Sequence, residues 1–135
     1  MRFIHTAAWQ LGMARHFLAG EAQPRYSAAR RDAVAGLGEL AAKTGAEFVV
    51  VAGDVFESNQ LAPRVISQSL EAMRDIKVPV YLLPGNHDPL DASSVYTSRL
   101  FEAECPDNVV VLDRDGVWDI RPGVHLVAAR GRPKA

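Results

Sequence analysis

The sequence predicts an α/β fold, with a βαβαβ front followed by a short antiparallel β meander. Three observations carry this. Two apolar, β-branched runs, Glu47–Ala52 and Val78–Leu83, flank one helical stretch, in the length a parallel crossover unit needs. Each run ends at turn residues, Gly53-Asp54 in one case and Pro84-Gly85 in the other. After Pro106 the texture changes to short strand-like runs punctuated by Asp115-Gly116 and Pro122-Gly123.

In chain order, Arg2–Thr6 reads as the first strand, Trp9–Leu18 as irregular and Gly20–Gln23 as loop. A helix is predicted from Pro24, with Tyr26, Ala29, Ala33, Leu37, Leu40 and Ala41 on its inward face and Gly45 as its stop. Gly36 and Gly38 weaken that helix unless it must lie close on its neighbours. Glu47–Ala52 is apolar on both faces, as a strand covered on both sides requires. Pro63 opens a second helix ending near Ile76, with Ile66, Leu70 and Met73 inward, and Val78–Leu83 is the next strand. A third helix is expected over Ser93–Phe101, capped by Asp91 or Ser93. Val109–Leu112, Val117–Ile120 and Val124–Ala129 read as the meander, with antiparallel pairing, and Arg130–Ala135 has no structural signal.

Composition narrows the class. The chain has 135 residues, one domain or part of one, and is 48% apolar and 23% charged, an ordinary soluble composition. A net charge of −1 leaves nucleic-acid binding to a local patch. The single cysteine, Cys105, excludes an internal disulfide, fits a reducing compartment, and reads as a small buried or half-buried hydrophobe. No secretory leader pattern and no run of membrane-spanning length is present, so a cytoplasmic protein without a membrane association is expected.

Ligands of open α/β sheets sit beyond the carboxyl ends of the strands, where Asp54 and Asn86-His87-Asp88 fall. Asp54 puts a carboxylate on a tight turn where it can bridge two cations. Asn86 offers a neutral amide oxygen. His87 can donate a proton to a leaving oxygen, and Asp88 is placed to orient it by accepting from its ring. This is equipment for metal-assisted phosphate ester hydrolysis. A Gly-Asp after a strand is commonly only a turn, whereas Gly85-Asn86-His87-Asp88 carries more chemistry than a turn needs. His5 reads as a core histidine and Trp9 as packing, while His16 and His125 have no ligand partner nearby in sequence. Arg15, Arg30 and Arg31 read as solvated residues.

With Gly53-Asp54 and Gly85-Asn86-His87-Asp88 in this order, the chain resembles the calcineurin-like metallophosphoesterases. Phe3-Ile4-His5-Thr6-Ala7, Trp9-Gln10-Leu11-Gly12 and Val55-Phe56-Glu57 resemble more particularly the SbcD-type nuclease subunits of SbcCD and Mre/Rad DNA-repair complexes. The resemblance implies an αββα sandwich and two manganese ions, with magnesium as an alternative. It also implies hydrolysis of DNA phosphodiesters, a homodimer and an SbcC-type ATPase partner. By the same resemblance Asp54 is the bridging carboxylate, Asn86 a ligand of the second metal, His87 the catalytic histidine and Asp88 its partner.

Residues 1–135 would then be the N-terminal portion of the nuclease domain, with two further histidine motifs expected downstream. The family's first motif, Asp-X-His, reads Ala8-Trp9-Gln10 here, so Gln10 keeps an oxygen donor and Ala8 none. Weak metal binding and little turnover are expected of the chain alone. Two alternatives stand beside the exonuclease: a non-catalytic DNA- or partner-binding module on the same fold, and a phosphodiesterase or phosphatase of small molecules.

Overall fold

The computed structural model describes residues 1–13, 20 and 22–129; Arg15, His16 and the tail from Arg130 lie outside the described residues. Four parallel strands form the main sheet in the order β1 (Ile4–Thr6), β2 (Val49–Ala52), β3 (Val80–Leu83) and β4 (Val109–Val111). Val49 stands opposite both Ile4 and Val80, and Val80 opposite Val109, so the apolar residues of all four strands share faces. The crossovers are α1 (Ala22–Thr44), α2 (Pro63–Arg74), and a 3-10 turn (Val95–Thr97) continued by α3 (Arg99–Glu104). β5 (Gly116–Arg121) and β6 (Val124–Ala128) form a separate antiparallel pair. The predicted α/β class is the class observed.

Strand alternation sorts the core into two layers. On the helix side Val49, Val51, Val80 and Leu82 pack with Val34, Ile66, Leu70, Met73 and Phe101. Met73 and Leu82 are wholly buried, each contributing about 1.5–3 kcal/mol relative to exposure. On the other side Phe48, Tyr81 and Leu112 meet Ala128, with Trp118, Ile120 and Leu126 of the β5–β6 pair partly buried over them. Arg121 Nε also donates to Glu47 Oε1 at 2.9 Å, tying this pair to the approach of β2.

α1 ends as its glycine predicts. Gly45 takes φ 68°, and Ala46 N–H reaches back to Ala41 O at 3.0 Å, which closes the last turn. Gly38 explains the helix's tolerance of glycine: a Cβ there would lie 3.3 Å from Ile76 Cα, so α1 packs on the segment after α2 at backbone range.

Several expectations are corrected. Val109–Val111 joins the main sheet in parallel with β3 instead of a meander, because α3 supplies a crossover long enough to return the chain in the same direction. The third helix is split, with Ser94 accepting from Tyr96 N and Ser98 accepting from Phe101 N, so two caps in quick succession start two short elements. The inward face of α1 is Val34, Leu37 and Ala41, while Ala29, Ala33 and Leu40 face out. His5 is exposed, since it lies on the outward side of an edge strand.

Candidate active site

The loops that leave β1 and β2 run side by side beyond the sheet. Ala8 N donates to Gly53 O, Gln10 N to Asp54 O, and Leu11 N to Val55 O, all at 2.9 Å, and Glu57 N returns to Leu11 O at 2.9 Å. Within this ladder Ala8, Gln10 and Asp54 hold positive φ of 53°, 47° and 53°. Such backbone is costly for residues with a Cβ and persists where surrounding bonds over-determine it, a condition found chiefly at functional sites.

The loop after β3 closes onto the same end. A Cβ on Gly85 would lie 2.5 Å from Asp54 N and 3.0 Å from Gly53 Cα, so glycine lets the two turns touch. His87 N donates to Asp54 Oδ1 at 2.9 Å. Asp54, Asn86 and His87 are thus brought to one place with the Gln10 backbone, and the Asn86 and His87 side chains face solvent.

The role expected of Asp88 is corrected. Its carboxylate is fully buried and turned inward: Oδ1 accepts from Gly85 N at 2.8 Å, and Oδ2 accepts from Phe56 N at 3.0 Å and from the Tyr96 hydroxyl. The group facing the His87 ring is instead the Glu57 carbonyl, 3.1 Å from Nδ1. A carbonyl can only accept, so this contact places the proton on Nδ1 and leaves Nε2 free toward solvent. Burial pushes the Asp88 carboxyl above its ordinary range, with the three donors pulling against that rise and the Asp54 charge adding to it. Burial and the adjacent Asp88 likewise raise the Tyr96 hydroxyl well above the usual range, keeping it a donor.

Tyr96, the Glu57 carbonyl and Asn59 carry the site's geometry without a mark in the sequence. Asn59 Nδ2 donates to Pro89 O at 3.0 Å and its Oδ1 accepts from Val95 N at 3.1 Å, so it bridges the same two loops. A polar residue shortly after the Gly53-Asp54 turn is the only signal that could have pointed to it. Trp9 packs as expected, its Nε1 donating to Thr6 Oγ1 at 3.0 Å. Arg30 is not a free solvated side chain: it donates to the Tyr26 hydroxyl at 2.9 Å and to Trp9 O. His125 lies on β6, paired with Asp119 of β5 at 2.6 Å.

The donor set suits a hard divalent cation. Asp54 spends one oxygen on His87 N, and among the described residues no hydrogen bond occupies the side chains of Gln10 or Asn86. These are oxygen donors of the kind that magnesium and manganese take. Among the described residues no three His, Cys, Asp or Glu side chains form a metal-binding group.

A Gly-Asp turn and a Gly-Asn-His-Asp turn meet at the carboxyl end of a parallel sheet, the end at which ligands of such sheets bind. Residues 1–131 match the calcineurin-like phosphoesterase family, and the chain belongs to it. Its relatives include the DNA double-strand break repair protein Mre11 of Archaeoglobus fulgidus, 33% identical over 120 residues, or 87% of this chain and 26% of that protein. The SbcD component of the Bacillus subtilis nuclease SbcCD is 33% identical over 98 residues, or 70% of this chain and 24% of that protein. The chain therefore spans about a quarter of the length of these curated relatives. Among the described residues no helix is long and apolar enough to cross a membrane.

Proposed function

We propose that this chain carries part of a nuclease site that hydrolyses DNA phosphodiesters with manganese or magnesium. We further propose that it works as a homodimer with an SbcC-type ATPase in the cytoplasm. The observation that supports this best is the meeting of Asp54 with the Gly85–Asp88 turn, taken together with the Mre11 and SbcCD relatives. Asp54 and Asn86, with Gln10, would hold the cation. When bound, a divalent ion polarises a phosphoryl oxygen and makes water a better nucleophile. His87 presents Nε2 to solvent, where its protonated form would deliver a proton to the leaving oxygen. The Glu57 carbonyl keeps the ring turned for that transfer.

Ala8 brings no ligand to the first-motif position, so turnover would be low. The same residue favours a second reading, a non-catalytic module that keeps the fold and binds DNA or a partner. Manganese-dependent cleavage of linear DNA by Ala8→Asp in a chain that includes the downstream sequence, absent with Ala8, supports the nuclease. DNA binding without cleavage in both proteins supports the module. Cleavage of a small phosphodiester with no action on DNA would overturn both.

A further inference from the structure

We propose that Tyr96 is a positioning residue of this site, acting through Asp88 to hold the turns bearing Asp54 and Asn86-His87 in register. The inference rests on the metal-assisted phosphoesterase reading for its purpose, and on hydrogen bonds alone for its geometry.

One carboxylate joins three pieces of chain. Phe56 N belongs to the loop two residues past Asp54, Gly85 N to the turn just before Asn86, and the Tyr96 hydroxyl to the 3-10 turn beyond. Asp88 is fully buried, and a buried carboxylate persists only while its oxygens are satisfied. The backbone donors occupy one site on each oxygen. Tyr96 supplies the third bond, and among the described residues the only one from a side chain.

Its ring is fixed in turn. It meets the Phe56 ring edge-on at 5.8 Å and the Phe101 ring at 5.3 Å, with 80° between planes in the latter pair. The hydroxyl is therefore delivered by a rigid aromatic cluster instead of a mobile loop. Asn59 repeats the bridge independently, binding Pro89 O and Val95 N. Removing the hydroxyl leaves Asp88 one donor short, and the turns that position Asp54, Asn86 and His87 loosen against each other. Groups behind metal-binding side chains act in this way on the ligands in front of them.

The test is Tyr96→Phe, which keeps the ring, with Ile76→Val as a variant that loosens the core away from the aromatic cluster and Asp88. Amide hydrogen exchange and manganese-induced broadening of the Asp54, Asn86 and His87 resonances are both read on the intact chain. In Tyr96→Phe the Phe56 and Gly85 amides are expected to exchange about tenfold faster, with Leu70 and Leu82 within about twofold of the parent. The manganese concentration giving half-broadening is expected to rise about tenfold. Ile76→Val should leave that concentration within about twofold, since it disturbs packing alone.

Unchanged exchange at Phe56 and Gly85 in Tyr96→Phe would overturn the proposal, and so would an equal shift in half-broadening with Ile76→Val. If manganese fails to broaden these resonances selectively in any of the proteins, the metal reading falls, while exchange at Phe56 and Gly85 still decides whether Tyr96 holds the turns.

Discussion

Gly85 lies against Asp54 with no space for a side chain between them: an added Cβ would stand 2.5 Å from Asp54 N and 3.0 Å from Gly53 Cα. Two strand-end turns meet there through backbone, and neither can retreat without breaking the His87 N bond to Asp54 Oδ1.

Gly85→Ala is therefore expected to destabilise the protein by about 1–3 kcal/mol, the cost of overpacking a closed contact. Gly36→Ala provides the contrast. Gly36 lies inside α1 with nothing within 4 Å of an added Cβ, so alanine there should stabilise by roughly 0.5–1 kcal/mol. Urea midpoints measure both, and a Gly85→Ala midpoint equal to the parent would show that the turns yield.

The His87 ring is expected as the Nδ1-protonated tautomer when neutral, because Glu57 O can only accept. Nitrogen-15 shifts of the imidazole distinguish the two forms. A dominant Nε2-protonated form would place the ring's orienting bond elsewhere.

Ala8→Asp should fold at least as well as the parent, because aspartate tolerates left-handed backbone better than alanine and residue 8 sits at φ 53°. It also adds an anionic oxygen beside Gly53 and Asp54. Manganese affinity by calorimetry should increase by roughly tenfold or more. An unchanged affinity would mean that residue 8 does not face the cation.

The Cys105 thiol is raised by partial burial first and by the negative charge of Asp107 second. Thiolate is the reactive form, so alkylation by iodoacetamide at about pH 8 should be slower than for a free cysteine peptide, and should still be climbing with pH where the peptide has levelled off. Equal rates across the whole range would contradict this.

The legible parts of the molecule were those decided locally. Val80–Leu83 announces a strand by burying both of its faces, and Pro84-Gly85 announces its end. Asp54, Asn86 and His87 could be grouped because strand ends in such sheets converge on one side. What resisted was pairing. Val109–Val111 has the same local texture whether it pairs with β3 or β5, and only the long return through α3 decides between them. Asp88 follows His87 in sequence, yet neighbours on a turn point apart, and its side-chain partner is Tyr96, eight residues on. Leu40 looked inward on a helix whose buried stripe proved to be Val34, Leu37 and Ala41, a choice set by how closely Gly38 lets α1 approach Ile76.

The ladder joining residues 8–11 to residues 53–57 is made wholly of main-chain bonds. Alanine and aspartate can therefore both stand at position 8 on the same backbone, and selection can exchange one for the other without rebuilding the loop. Some alanine codons become aspartate codons by a single base change, so a lineage with this backbone could gain or lose a carboxylate at position 8 in one mutational step. Inheritance of the mould is separate from inheritance of the activity.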